Sequence, residues 1–408
     1  VETTEKGKIH LLENGHVTTP KGFRAGGVHC GIRKIKLDFG WVYSETPASA
    51  AGVYTLNKIQ ASPLKVTKQS IATDNQLQAV VVNSGVANSV TGSRGYQDAL
   101  QMQREAAAQM RIDPDHVGVL STGVIGVPLP MEKIHAGIQE INNPENESAE
   151  RFESAILTTD TKTKHLAVEL TIDGKTITIG GAAKGSGMID PNMATMFAFL
   201  TTDAAVEPAS LQKALGEKTD ETFNMITVDG DCSTNDTVLV MANGTQKNQP
   251  LNESHPDWEL FLKGFQMVSE ELAKAIARDG EGATKLVETN VKGAPDAASA
   301  KQVAKAVISS NLVKTAVYGA DPNWGRIICA VGYSEQPIDP DKITISIGDI
   351  PVVIDGLPTD FDEMEGKLYM QNDTVVLSID LQNGPCSATA WGCDLTYDYV
   401  KINASYRT

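Results

Sequence analysis

Apolar positions along this chain recur with two periods, and the two alternate from one end to the other. Phe261, Phe265, Val268, Leu272 and Ile276 fall three or four residues apart, which makes one apolar face and predicts a helix over 257–278. The run Asp279-Gly280-Glu281-Gly282 stops it. Further helices are predicted over 98–110, 131–141, 148–157, 208–224 and 296–309. Between them lie short β-type runs punctuated by glycine and proline: 32–39, 80–82, 117–120, 166–179, 196–200, 225–228, 237–242 and 284–291, with 327–333 and several strands to 379 beyond. Strands interleaved with helices in this way predict a mixed α/β architecture. No internal repeat or low-complexity linker is present, and a boundary between a unit 1–280 and a smaller α/β unit 281–408 is expected in the glycine-rich stretch 280–293.

One stretch fits neither period. Lys184-Gly185-Ser186-Gly187-Met188-Ile189-Asp190-Pro191-Asn192-Met193-Ala194-Thr195-Met196 separates the alternating segment 166–179 from the apolar run 196–200. Two glycines open backbone angles closed to other residues, and Pro191 fixes its own φ while pushing Asp190 out of the helical region. The stretch is therefore a tight connection that delivers Ala194 and Thr195 to the mouth of a strand. A threonine hydroxyl there can attack the preceding carbonyl, turning the peptide into an ester that water cuts. The new chain would begin with Thr195, whose α-amine (reference pKa about 7.7–8) is a general base beside its own hydroxyl. Read alone, a Gly-rich turn before a strand is just as well plain surface structure.

Charge and composition narrow the partners. The 408 residues carry a formal net charge of −16, which disfavours nucleic acid and anionic membrane surfaces, both polyanions. No run of 18 apolar residues is present, so no spanning helix is expected. The start, Val1 to Lys8, is polar, lacks the apolar core of a secretion signal, and suggests a trimmed end. Five dispersed cysteines (Cys30, Cys232, Cys329, Cys386, Cys393) fit a reducing cytosol, and no zinc-ligand spacing is evident. Asp229-Gly230-Asp231 with Asn235-Asp236 lacks the remaining spacing of a calcium loop and reads as a polar turn near the site. Trp324-Gly325-Arg326 is a candidate anion site or a brace for the threonine's loop.

Lys184 to Ile189 together with Pro191 to Met196 resembles the signature of the ArgJ family, the ornithine acetyltransferases of arginine biosynthesis. The likeness extends along nearly the whole chain, through Ser121-Thr122-Gly123, Thr158-Thr159-Asp160 and Arg278-Asp279-Gly280-Glu281-Gly282-Ala283-Thr284-Lys285. It implies layered sheets and helices similar to the N-terminal-nucleophile amidases. It also implies autocleavage between Ala194 and Thr195, with Thr195 then accepting the acetyl group. By the same resemblance Thr122 and Gly123 form the oxyanion hole, and Thr158, Lys184, Thr195, Glu281, Asn403 and Thr408 contact substrate.

The reaction so implied moves an acetyl group from N-acetylornithine to glutamate by ping-pong transfer, with acetyl-CoA as a further donor in some members. No metal or organic cofactor is expected. The two cleaved chains are expected in the cytoplasm as a dimer of heterodimers. Two other readings stand beside this one. An amidase or aminopeptidase on the same scaffold would hand the acyl group to water, and a non-catalytic amino-acid-binding protein would never cleave.

Overall fold

The computed structural model describes residues 9–190 and 196–405. The expectations resting on Ala194, Thr195 and Thr408 therefore lie outside the described residues.

The first sheet is built from β1 (Ile9–Leu12), β2 (Phe23–Val28), β3 (Phe39–Tyr54), β4 (Gln76–Val86), β5 (Val117–Val124), β6 (Lys164–Ile172), β7 (Lys175–Lys184), β8 (Phe197–Thr202) and β9 (Thr237–Ala242). Its order is β1-β6-β7-β8-β9-β3-β4-β5, with β2 also paired to β3. The second sheet contains β10 (Leu286–Ala294), β11 (Thr344–Ile347), β12 (Ile350–Ile354), β13 (Leu357–Pro358), β14 (Thr374–Asp380) and β15 (Cys386–Cys393), in the order β13-β12-β11-β14-β10-β15. Both sheets mix parallel and antiparallel pairs, so the α/β expectation holds.

Helix Trp258–Arg278 lies between the layers. It packs on β6 and β7 of the first sheet and on β10 and β15 of the second. Phe261, Phe265, Val268, Leu272 and Ile276, the face read from the sequence, are all completely buried. The helix comes close to β7 because Gly181 offers no side chain there: a Cβ on it would stand 2.7 Å from Leu272 Cδ1 and 2.9 Å from Val268 Cγ1. One apolar cluster consequently runs from β6–β9 through this helix to β10, β11 and β14. Helices Ser62–Asp74, Gly92–Met110 and Met131–Gln139 enclose the β3-β4-β5 end of the first sheet. Helix Ala297–Ser309, capped by the Asp296 carboxylate, covers β10 and β15.

Several sequence expectations change. The segment 166–179 is two strands of a hairpin, turned at Asp173-Gly174, where both residues take positive φ (51° and 70°). Residues 32–38 form no strand, because the Asp38 carboxylate gathers the loop by accepting from Cys30 N and Arg33 N, each at 2.7 Å. The run 225–228 is no strand either: a 3-10 turn covers Phe223–Met225, and Ile226 makes a single bridge to Trp391. The apolar stretch 327–333 belongs to helix Trp324–Gly332, which Asn323 caps by accepting from Arg326 N. Arg326 donates from Nη1 to the Leu312 carbonyl at 2.9 Å on the neighbouring helix, Asn311–Tyr318.

For the site, the decisive feature is the β7–β8 connection. Lys184, last in β7, pairs in register with Phe197, first in β8, so the stretch that fitted neither period starts and ends side by side. Beside it, β8 runs parallel to β9, and β5 ends in Thr122, Gly123 and Val124.

Candidate active site

A cavity of about 210 Å³ opens beside the first turn of that connection. Thr122 and Gly123 line it from the end of β5, and Thr158 and Thr159 from the segment after helix Ala149–Ala155. Gly187 and Met188 come from the β7–β8 connection, Glu281 from the stop after the long helix, and Tyr399 and Asn403 from the C-terminal helix Tyr397–Ser405. Five of the residues expected at a substrate site, Thr122, Gly123, Thr158, Glu281 and Asn403, thus share one cavity.

Lys184 is next to it but not in its lining. Its side chain is fully buried, and Nζ donates to Thr122 Oγ1 at 3.4 Å and lies 5.9 Å from the centre of the Phe197 ring. Burial lowers the Lys184 pKa, with Asp160, Asp236 and Glu281 opposing the shift and Lys164 adding to it. The ammonium that the sequence reading offered as a direct substrate contact is held behind the Thr122 hydroxyl.

What fixes these groups is a buried ionic network absent from the sequence reading. Lys164 Nζ sits 2.7 Å from Asp160 Oδ1 and 2.6 Å from Asp279 Oδ2. Asp160 also accepts from Gly185 N at 2.7 Å and from Thr158 N at 3.0 Å. Asp279 accepts from Thr161 N at 3.0 Å and from the Thr161 hydroxyl. Ser186 closes the circuit, donating from Oγ to the Asp279 carbonyl at 2.7 Å and accepting from Glu281 N at 2.8 Å. Burial pushes the Asp160 carboxyl up, but the Lys164 ammonium, Lys184 and the Gly185 N–H outweigh it and hold its pKa at about 2. Three segments distant in sequence, 158–161, 184–186 and 279–281, are locked together.

A second carboxylate braces the far side of the connection. Asp229 accepts from Met188 N at 2.7 Å and from Ile189 N at 2.8 Å, so the polar turn 229–231 does lie at the site. Tyr399 donates its hydroxyl to Asp229 Oδ2 at 3.2 Å. Met196 N, next in sequence to Thr195, donates to Asp236 Oδ1 at 3.1 Å, and burial raises the Asp236 pKa well above the ordinary carboxylate range.

Local geometry explains the glycines. Gly123 has φ +130°, and a Cβ on it would stand 2.3 Å from the Gly85 carbonyl carbon in β4. Gly187, expected to supply an unusual backbone angle, is needed instead for proximity: a Cβ there would meet Glu281 Cδ at 2.4 Å. Positive φ falls on Gly185, at 158°, and on Met188, at 56°. Glu281 is 7% exposed and accepts from Asn403 Nδ2 at 2.7 Å, which ties the C-terminal helix to the cavity. Asn235 Nδ2 holds the end of β5 by donating to the Ser121 and Ala87 carbonyls, each at 2.7 Å. Arg33 reaches from the Asp38 loop to the Leu157 and Thr158 carbonyls at 2.6 and 3.0 Å. Arg33 and Tyr399 are supports that no sequence spacing indicated, since each reaches a partner more than a hundred residues away, whereas Asp229 and Asn235 belong to the polar turn that the sequence placed near the site.

The arrangement suits acyl transfer from an amino-acid derivative. It combines a hydroxyl and a backbone N–H at the end of a strand, a buried carboxylate, and a cavity of small-molecule size. The sequence profile of the ArgJ family matches residues 24–408. The chain is 61% identical over 408 residues to the arginine biosynthesis bifunctional protein ArgJ of Oceanobacillus iheyensis, covering 100% of both chains. With the protein of the same description from Geobacillus kaustophilus it shares 54% identity over 407 residues, covering 100% of this chain and 99% of the relative. A crystal structure of the corresponding Bacillus halodurans protein has 54% identity and a TM-score of 0.50, covering 51% of this chain and 98% of the solved one.

The network makes a prediction about acid. Asp160 has a folded-state pKa of about 2, below its unfolded value, so its contribution to stability is complete above about pH 4 and is lost as pH falls toward 2. Asp160→Asn leaves Lys164 paired with Asp279 alone and is expected to cost about 2–3 kcal/mol at neutral pH, the worth of a carboxyl shifted to about 2 on folding. Thermal unfolding of both proteins from pH 7 to pH 2 should show the gap closing between about pH 4 and pH 2. A gap that stays constant over that interval would contradict the ionic account.

Proposed function

From the premise that this chain belongs to the ArgJ family, we propose that it is a self-cleaving acetyltransferase of arginine biosynthesis with Thr195 as nucleophile. Cleavage between Ala194 and Thr195 starts with attack of the Thr195 hydroxyl on the Ala194 carbonyl, and hydrolysis of the ester frees the threonine amine. That amine then takes the hydroxyl proton in each turnover. N-acetylornithine donates its acetyl group to Thr195 Oγ and leaves as ornithine. Glutamate's amine attacks the acetyl-enzyme and leaves as N-acetylglutamate. Acetyl-CoA is the second donor, in keeping with the bifunctional description of the relatives.

The observation that carries the site assignment is the shared cavity. Thr122 and Gly123, at the end of β5, are assigned as donors to the oxyanion of the tetrahedral intermediate. Lys184, hydrogen-bonded to Thr122 Oγ1, orients that hydroxyl and adds positive potential behind it. Glu281 receives the substrate's ammonium, with Asn403 orienting the carboxylate, and Thr158 and Thr408 complete the pocket. Support for cleavage comes from the connection itself, whose backbone is held by carboxylates before the proposed cut, Asp160 at Gly185 and Asp229 at Met188 and Ile189, and after it, Asp236 at Met196. Coverage of 51% of this chain by a nearly complete solved relative is the length expected of one half of a cut chain.

The further assignments follow the same reading. The products are a chain 1–194 and a chain 195–408, assembled in the cytoplasm as a dimer of heterodimers. A division into units 1–280 and 281–408 fits the second sheet, whose six strands all lie within 286–393. The C-terminal helix then returns from the second unit to the cavity through Asn403 and Tyr399.

Processing is the most direct test of the nucleophile. In a denaturing mass spectrum the protein should run as two fragments divided at 194/195, and Thr195→Ala should remain one chain of 43.6 kDa. Thr195→Ser keeps a hydroxyl and should cleave at least in part. Two fragments from the alanine variant would sink the mechanism. Recognition is tested separately with Glu281→Gln, which keeps the shape and removes the charge. It should lower kcat/KM for the amino-acid substrates by about 10- to 100-fold, the worth of a hydrogen bond to a charged group, while processing proceeds. Unchanged kcat/KM for both substrates would take Glu281 out of the site.

A further inference from the structure

Asp236 is a fully buried acid that the acetyl-transfer scheme does not use. It directly precedes β9, and the parallel pairing of β8 with β9 sets Phe197 opposite Thr237. That register brings the Asp236 carboxyl against the backbone of Met196, whose N–H donates to Oδ1 at 3.1 Å. The neighbouring backbone is fixed as well. Thr237 N donates to the Met196 carbonyl at 3.1 Å, and Thr55 N donates to the Asp236 carbonyl at 3.0 Å. Thr195 N is joined to Met196 N through three bonds of about 1.3–1.5 Å, so covalent geometry alone keeps the two nitrogens within about 4 Å.

The second oxygen of this carboxyl is unspent. Oδ2 has no hydrogen-bond partner among the described residues, and a bare carboxylate oxygen so deeply buried would be costly. The Thr55 hydroxyl does not satisfy it, because its hydrogen goes to the Ser233 carbonyl at 2.8 Å. Burial raises the Asp236 pKa well above the ordinary carboxylate range, against the pull of the Met196 N–H and of Lys184. The protonated form is thereby favoured, with the proton on Oδ2 because Oδ1 receives the Met196 N–H. Self-cleavage creates a need for such an acid. When the Ala194–Thr195 peptide breaks, its nitrogen cannot leave as an anion and must gain a proton. The threonine amine that moves protons in later turnovers does not exist before the first cut, so another group must do so.

We propose that Asp236 is the proton relay of self-cleavage, giving its Oδ2 proton to the Thr195 nitrogen, an inference that rests on the reading of Thr195 as the self-cleaving nucleophile. In this step the bond from Thr195 Oγ to the Ala194 carbonyl carbon forms, and the bond from that carbon to the Thr195 nitrogen breaks. The Oγ proton passes to the Asp236 carboxyl as the Oδ2 proton passes to nitrogen, so the carboxyl ends neutral, as it began. Water then cuts the ester. Asp236 carries negative charge only between the two transfers, and Lys184, which acts on it from the end of β7, stabilises that charge.

The test follows the full chain from its synthesis, by denaturing mass spectrometry of samples quenched at intervals. The native chain should pass from 43.6 kDa to two fragments divided at 194/195. Asp236→Asn keeps a carbonyl to accept from Met196 N but has no acidic proton, and it should be cut about 100-fold or more slowly. Its melting temperature should match that of the uncut Thr195→Ala chain. Hydroxylamine, which attacks esters, should release no fragments from Asp236→Asn, because the acyl shift itself is blocked. Should Asp236→Asn melt lower than the Thr195→Ala chain, Asp236→Glu decides, since it keeps the acidic proton: cleavage faster than in Asp236→Asn supports the relay, and cleavage no faster overturns it. Cutting of Asp236→Asn at the native rate, or its release at 194/195 by hydroxylamine, would also overturn the relay. A native chain that stays whole would instead sink the reading of Thr195 on which the relay rests.

Discussion

Two buried carboxylates share one buried ammonium, and the cavity depends on that arrangement. Lys164 between Asp160 and Asp279 is only 3% exposed, so neither acid can turn to water if the other lets go. Buried pairs of this kind add little to stability over an apolar core, but losing one partner is expensive. The remaining lone pairs of the two acids are spent on backbone N–H groups at Thr158, Thr161 and Gly185. The network therefore converts charge into position, fixing where three loops stand relative to one another.

Position is what acyl transfer needs. A threonine that must attack its own backbone, and later a bound acetyl group, demands a connection whose two ends cannot drift. Register between Lys184 and Phe197 supplies that at the strand ends, while Asp229 and Asp236 hold Ile189 and Met196 nearer the proposed cleavage point. In the proposed reaction a positive charge on Lys184, enclosed with Thr122, acts in a dry setting where electrostatic stabilisation counts for most. The long helix Trp258–Arg278 carries the layered core and ends at Asp279 and Glu281, so packing of the two sheets and placement of the carboxylate are one event.

Legibility in the sequence followed the range of the interactions. Helix 258–278 was readable because its five apolar anchors repeat at helical spacing and are all buried. Glu281, Thr122 and Thr158 were readable only through their resemblance to a family, since each alone is an ordinary turn residue. Helix Trp324–Gly332 was misread as part of a strand run, because a short apolar stretch carries no usable period, though Asn323 at its start was a capping signal. The loop 32–38 and the Lys164–Asp279 pair depend on contacts made after folding, and nothing in local spacing encodes them. Gly187 was correctly singled out for a reason that proved different: Glu281 fills the space its Cβ would need.

The central claim is that Thr195 carries the acetyl group. Processed enzyme mixed with N-acetylornithine in the absence of glutamate, quenched in acid, digested and sequenced by tandem mass spectrometry tests it most directly. The account predicts one acetyl group on the Thr195 hydroxyl, with the threonine amine free, and its disappearance when glutamate is added before the quench. An acetyl group found instead on Lys184 or another residue, and discharged by glutamate, would contradict it.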